Sequence, residues 1–408
     1  MAAICLGRRG LDVTLCDPKP REDLSAKSRA YALTHSSRRL LERLSLWEDL
    51  QKDLIPFRQL RLEDRRLCCT AWFNVDDLPS HNRYSDAIGW ILDHKALMAC
   101  LFRRLVAEPS LQLQLGHGFD AYPPFSTDSL ETIVNIAADG SQSQLRHYWQ
   151  LPFLQHQYRQ GCLTTKVLLR GCPSDTAHEL FRDEGPLAVL PLGDAAFQIV
   201  WTAPLERCRD LAAMNSAHLL DELAAALPNS LEPERLLDCP GVFPLELNLA
   251  PRLHNGISLL VGESGHRCHP VGGQGLNLCW RDVAELDYLF ASVTCGSLPL
   301  RHLGRAYSLR RLPDLVMVGL TTDLLVRLFS SKKLLPKIVR TVPMQLLRER
   351  FWARRLALQG MSDGPLTLGN FLPESIGLTS ATLNGHQQPS TTNNIPAVAK
   401  IPAASQPQ

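Results

Sequence analysis

No sign of charge dominates this 408-residue sequence: 43 Lys and Arg stand against 41 Asp and Glu, a net of +2. Proteins that neutralise nucleic-acid phosphates carry a basic excess, so nucleic acid is excluded as the expected partner. Long hydrophobic runs are missing too. The most apolar stretch, Leu312 to Phe329, contains Asp314, Asp323 and Arg327, whereas a spanning helix needs about 20 predominantly apolar residues. Met1 to Leu6 is too short for a signal-peptide core. Cysteine is sparse: twelve residues, scattered, with no C-x-x-C pair and only Cys68 and Cys69 adjacent. That excludes a disulfide scaffold and points to free thiols in a reducing, cytoplasmic compartment. Aromatic residues stop at Phe371, and Ser, Thr, Asn, Gln and Pro dominate beyond it, which predicts a disordered tail over 371–408. G-x-G-x-x-G is absent as well.

What is present is an α/β pattern. Met1 to Gly10 reads as the end of a helix stopped by Gly10, and Leu11 to Cys16 as a short strand ending at Asp17. Helix, glycine, strand, acid is the second half of a βαβ dinucleotide-binding unit. Helices are expected over Ala30 to Leu50, Asp93 to Ala107 and Leu211 to Leu227. Strands are expected over Ile55 to Phe73, Leu111 to Leu115, Thr132 to Ala137, Thr165 to Leu169, Leu187 to Pro191, Phe197 to Trp201 and Ile257 to Val261. Arg301 to Leu358 reads as helices broken near Pro313, Pro336 and Pro343, with 13 Lys/Arg against 3 Asp/Glu. Strands and helices alternate at both ends of the body and strands crowd its middle. This pattern suggests one nucleotide-binding domain interrupted by a sheet domain.

The chemistry concentrates in Leu259 to Asp282, LLVGESGHRCHPVGGQGLNLCWRD. A buried strand ends at Gly262 and Glu263, and Pro270, Gly272, Gly273, Gly275, Leu276 and Asn277 open the next helix. Glycines at such a turn let backbone amides approach a ligand, and the helix aims its positive end at it. His266, Cys268 and His269 lack a second ligand cluster, so no metal is expected. Gly262-Glu263-Ser264-Gly265-His266 lacks the glycine that a nucleophile elbow needs two residues after the serine.

Gly262 to Asn277 resembles the second FAD-binding motif of the flavoprotein aromatic hydroxylases, the p-hydroxybenzoate hydroxylase class, G-D-x-x-H-x-x-x-P followed after two residues by G-x-G-x-N. The one departure is Glu263, which stands where the family has Asp and adds one methylene, about 1.5 Å. The longer HRCHPVGGQGLNLCWRDVAEL is similar to the polyprenyl-phenol hydroxylases of ubiquinone biosynthesis. Asp139-Gly140-Ser141-Gln142-Ser143-Gln144-Leu145-Arg146 resembles the family's middle motif, D-G-x-x-S-x-x-R. Gly185 to Thr202 resembles the substrate-domain hairpin, and Arg29 to Thr34 the segment after the second strand.

The resemblance implies an α/β fold in which a Rossmann-like FAD-binding domain is interrupted by a β-sheet substrate domain, with C-terminal helices added. Residues 1–70, 93–160 and 250–300 would build the first, 71–92 and 161–249 the second, and 301–368 a basic helical segment. It implies FAD as cofactor, NAD(P)H as co-substrate and dioxygen as oxidant in the hydroxylation of a lipophilic phenol, a polyprenylated quinone precursor. Asp17 would meet the adenosine ribose, Arg29 the cofactor, and Asp139 and Gly140 the pyrophosphate. Gly262, Glu263, Gly273, Gly275, Leu276 and Asn277 would hold the ribityl chain and flavin, with Pro270 near the reacting edge. The family begins with a strand and a glycine loop, which are expected just upstream of Met1. Other flavin reactions on the same fold, halogenation or prenyl reduction, and a non-catalytic scaffold in a quinone-biosynthesis assembly are the alternatives. The basic helices of 301–358 beside a lipid-tailed substrate suggest peripheral contact with the inner membrane surface.

Overall fold

In the computed structural model, Met1–Leu368 form one compact unit. The structure describes residues 1–82, 85–116, 133–329 and 334–364, so the tail expected at 371–408 lies outside the described residues.

The chain opens with α1 (Ala2–Gly7) and β1 (Val13–Asp17). Gly10 lies between them at φ +78°, a conformation glycine adopts without steric penalty. A short α2 (Arg21–Ser25) leads to β2 (Ala30–Leu33), α3 (His35–Arg43) and α4 (Trp47–Leu50). The single helix expected over Ala30 to Leu50 is therefore a strand and two helices. Ala30 to Leu33 gain ladder hydrogen bonds from a neighbouring strand, and Ser45, at φ +52°, breaks the remainder.

Next come β3 (Leu54–Phe57), β4 (Gln59–Asp64), β5 (Cys69–Asn74) and β6 (Gly89–Asp93), which pairs antiparallel with both β2 and β3. Asp93 caps α5 (His94–Ala107) by accepting the Lys95 amide at 2.8 Å. β7 (Leu111–Leu115) lies parallel to β1, with Asp17 opposite Leu115. Of the strand expected over Thr132 to Ala137, the described part forms β8 (Ile136–Ala137), followed by α6 (Gln144–Tyr148).

The middle of the chain builds a nine-stranded sheet. β9 (Leu154–Arg170) is far longer than the five residues expected, because three other strands pair with it along its length. β10 (Thr176–Phe181), β11 (Leu187–Gly193) and β12 (Ala196–Pro204) follow. Asp194 and Ala195 join the last two with both residues at positive φ, as a two-residue type I′ hairpin requires. α7 (Leu205–Ala213) and α8 (Ser216–Ala226) replace the single helix expected over Leu211 to Leu227. Asn215 starts the second by accepting the His218 amide at 2.9 Å. β13 (Glu232–Leu236) and β14 (Gly241–Leu249) complete the run. The sheet order is β17-β14-β9-β12-β11-β10-β4-β5, with β13 on β9 and β17 (His266–Arg267) at one end. The large sheet thus takes β4, which precedes residue 70, and all of β9, which runs through residue 160.

One sheet face is sealed by α7 and α8. Leu163, Val167, Leu180, Leu187, Val189, Ile199 and Trp201 pack there on Cys208, Leu211, Leu219 and Leu223, each large buried side chain contributing roughly 1.5–3 kcal/mol. Lys166, from the opposite face, ion-pairs with Asp93 at the end of β6.

β15 (His254–Asn255) and β16 (Ser258–Leu260) return to the nucleotide-binding part, where β16 pairs in parallel with β8. The helices α9 (Gln274–Thr294), α10 (Leu303–Phe329), α11 (Leu334–Glu349) and α12 (Phe351–Asp363) end the described chain. Pro313 and Pro343 lie inside helices rather than breaking them. Around Pro313, buried ion pairs of Arg311 and Asp314 with α9 hold the turn that the missing amide weakens.

Candidate cofactor and substrate site

The site is built at the carboxyl ends of parallel strands, where α/β sheets bind ligands. β8 and β16 run side by side, Ala137 opposite Leu260. From one the chain turns through Asp139 and Gly140, the latter at φ +83°. From the other it turns through Gly262, at φ +66°, and Glu263. Arg146 ties the two turns together. Its buried guanidinium donates to Ser264 O (2.7 Å) and Ser141 O (2.9 Å) and lies over the Phe153 ring at 3.6 Å. Ser143 caps the short α6 by accepting the Arg146 amide at 3.0 Å. The D-G-x-x-S-x-x-R spacing therefore puts one serine at a helix start and one arginine between two ligand-facing loops.

Glu263 is exposed although its neighbours are buried. It faces a group of charges from the second strand and its sequel. Lys27 feels Arg29, Lys19, Glu263 and Asp17, and Tyr31 feels Arg29, Glu263 and Asp93. Arg29 donates through Nε to Tyr31 Oη (2.9 Å), which also meets His94 Nδ1 at 2.9 Å. Asp17 accepts the Lys19 amide at 2.8 Å. The fold thus gathers Asp17, Arg29 and Glu263, which are far apart in sequence. Lys27 joins them unforeseen. Partial desolvation and the neighbouring Arg29 and Lys19 hold its ammonium below the usual lysine value.

The turn after Pro270 is a left-handed step at Gly272 (φ +70°) and Gly273 (φ +63°) that leads into α9. No side chain caps α9, so its first amides are available to an anionic or electron-rich ligand. A Cβ on Gly275 would meet no atom within 4 Å, whereas one on Gly273 would stand 3.2 Å from Ala32 Cβ. Gly275 therefore borders open space, as a backbone that lets a flavin approach closely would. Pro270 is half-buried at the turn's start and accepts the Gly273 amide at 2.9 Å. The residues present fit the flavin and ribityl end of FAD.

The Asn277 side chain is buried and fully engaged within the protein. Oδ1 accepts from Ser37 Oγ (2.6 Å), Thr34 N (3.0 Å) and Thr34 Oγ1 (3.2 Å), and Nδ2 donates to Ala32 O (2.8 Å) and Gly273 O (2.9 Å). It pins the start of α9 to β2, so a contact from Asn277 to a ligand falls to its backbone.

Behind the turn lies a charge network with no counterpart in the sequence reading. Asp282 accepts from the Gly262 amide (2.8 Å), His266 Nε2 (2.7 Å) and Arg311 Nε (2.6 Å). Arg311 continues to Asp314 (2.8 Å), which also binds Arg281 (3.1 Å). Burial opposes the charge on Asp282, but His266 and Arg311 outweigh it and hold the carboxyl well below its usual range. His266 is therefore structural. Among the described residues no group of His, Cys, Asp and Glu is arranged to hold a metal ion.

An uncapped helix behind a glycine turn, with acids at strand ends, suits a dinucleotide cofactor on an α/β fold. Residues 131–314 match the FAD binding domain family. The chain is 29% identical over 348 residues to 3-demethoxyubiquinol 3-hydroxylase of Escherichia coli, covering 81% of this chain and 86% of that protein. It is 27% identical over 346 residues to the ubiquinone hydroxylase UbiL of Rhodospirillum rubrum, covering 81% and 79%. Its fold matches the crystal structure of p-nitrophenol 4-monooxygenase from Pseudomonas putida with a TM-score of 0.70 at 14% identity, over 89% of this chain and 94% of that one. Residues 131–314 thus carry an FAD binding domain, and over about four-fifths of its length the chain is similar to ubiquinone hydroxylases.

Proposed function

We propose that this chain hydroxylates the ring of a phenol bearing a polyprenyl chain, a precursor of a ubiquinone-type quinone. The turn of 262–277 carries the reading: its left-handed glycines, uncapped helix and exposed acid suit a flavin, and its relatives include ubiquinone hydroxylases. FAD, when bound, carries electrons from NAD(P)H to dioxygen, which supplies the hydroxyl oxygen.

The chain's residues bind and orient. Asp17 suits the adenosine ribose hydroxyls, and Arg29 and Lys27 suit phosphate oxygens. Asp139 and Gly140 would flank the pyrophosphate, and Glu263 would accept from the ribityl hydroxyls. The amides of Gly275 and Leu276 face the flavin's electron-rich edge, where a helix N-terminus favours negative charge by about 1 kcal/mol. Pro270 presents a rigid apolar edge with no N–H to compete for substrate or oxygen.

The outer face of α10 supports peripheral membrane contact. Leu309, Val316, Met317, Leu320 and Leu324 are 38–64% exposed at helical spacing, with exposed Arg305, Arg310 and Arg327 along the same helix. No helix among the described residues is long and apolar enough to cross a membrane, so the stripe fits the plane of a bilayer surface.

The experiment is reconstitution with FAD, followed by NAD(P)H oxidation and product mass with a polyprenyl phenol. Phenol-dependent oxidation and a product heavier by one oxygen atom are expected. A protein that takes up no flavin, or whose phenol returns unchanged, would refute the reading.

A further inference from the structure

We propose that Glu179, on β10, holds the ring hydroxyl of the substrate and takes its proton. The proposal rests on the phenol-hydroxylase reading of the chain.

Side chains alternate across a strand. Leu180 points into the face sealed by α7 and α8. Ala177 and Phe181 belong to clusters on the opposite face, and Glu179 stands between them on that face. The register extends its row across the sheet: Leu62 on β4, Glu179, Ala188 on β11, Val200 on β12 and Thr164 on β9. All of these are half-buried, whereas Leu180, Leu187, Ile199 and Leu163 on the sealed face are buried. An apolar lining with one polar anchor is what a substituted aromatic ring requires.

The row adjoins the flavin turn. Val271, next to Pro270, shares one apolar cluster with Leu62 and Phe181. These are the neighbours of Glu179 across the ladder and along its own strand. Among the described residues nothing hydrogen-bonds or ion-pairs with the Glu179 carboxylate. Burial alone pushes its carboxyl up to about 7.

Several charged groups on this face and on the elements packed against it are already paired. Lys166 pairs with Asp93, Arg340 of α11 with Asp64 (3.2 Å), and Asp323 of α10 with Tyr158 (2.7 Å) and Arg327 (2.6 Å). Burial pushes the Cys162 thiol up and the His269 ring down to about 4. Glu179 is the acid of this row that has no such partner among the described residues. In the step, the phenol O–H bond breaks and the proton moves to a Glu179 oxygen. The electron pair stays on the phenol oxygen and raises electron density at the ortho and para carbons that receive the oxygen atom.

The test compares the full chain with Glu179→Gln, which keeps shape and loses the base. The probe is 2-geranylphenol, with 2-geranylanisole as an analogue that has no proton to give. Binding is read by tryptophan fluorescence and turnover by product formation, from about pH 5 to about pH 9. Wild-type kcat/KM should rise with pH through about 7, as the carboxyl loses its proton. The variant should lose that rise and about 100-fold or more in rate, with flavin content and anisole binding unchanged. A variant that keeps the pH rise and turns over within about threefold of wild type overturns the proposal while leaving the hydroxylase reading intact. A wild type that binds the phenol with a pH dependence absent in the variant, yet makes no product, sinks the hydroxylase reading and retains the phenol site.

Discussion

Replacing Asp282 by Asn preserves volume but removes the charge at the centre of the network behind the flavin turn. The carboxylate serves three donors, the Gly262 amide, His266 Nε2 and Arg311 Nε, at 2.6 to 2.8 Å. Asp282 is 0% and Arg311 5% exposed. In the variant one amide hydrogen pair must face one of those donors. Arg311 is left with Asp314, which it shares with Arg281. Removing one partner of a buried pair costs about 3–5 kcal/mol. An unsatisfied donor costs about 1–3 kcal/mol, but it arises from the same contacts, so the expected loss is about 3–5 kcal/mol rather than the sum. Urea unfolding followed by tryptophan fluorescence measures it. The pH dependence has a definite sign. The folded-state pKa is depressed below the ordinary 3.8, so the contribution is present above that value and lost as pH falls below it. Wild-type and variant stabilities should therefore converge in acid. FAD binding should weaken about tenfold or more, about 1.4 kcal/mol, because the turn carrying Glu263 loses its anchor. A loss under about 1 kcal/mol with unchanged FAD affinity would refute the reasoning.

Gly273→Ala should destabilise the protein by about 1–2 kcal/mol, since the residue sits at φ +63° and the new Cβ would lie 3.2 Å from Ala32 Cβ. Gly275→Ala, which meets no protein atom, should leave stability within about 0.5 kcal/mol of wild type and weaken FAD instead, as read by flavin fluorescence titration. The wild-type protein should float with anionic vesicles at low salt and bind less at high salt. Leu320→Asp combined with Leu324→Asp should abolish flotation without loss of fold, both positions being more than half exposed. Equal flotation of that variant would count against the α10 surface.

Motifs whose meaning is local were legible in the sequence. Gly262, Gly272, Gly273 and Gly140 all take positive φ, because a backbone that turns tightly against a ligand needs residues without a Cβ. The strand at Leu111 to Leu115 and the helix capped by Asp93 also lie where the pattern put them, since a cap and an alternating run act within a few residues. Pro313 and Pro343 misled, because a helix is broken or tolerated according to what packs around it.

By itself, then, the sequence determined the strand-end turns and the left-handed glycine positions, both set by short-range sterics and hydrogen bonding. Only the tertiary structure decided that Lys27 joins Asp17, Arg29 and Glu263. It alone showed that the Asn277 side chain holds β2 to the start of α9, and that Asp282 and Arg311 brace the turn from behind. It also placed Glu179 on the face of the large sheet opposite α7 and α8. Each of these depends on residues tens to hundreds of positions apart. Their charge, exposure and partners are properties of the packed chain, because burial and Coulomb interaction act through space and not along the sequence.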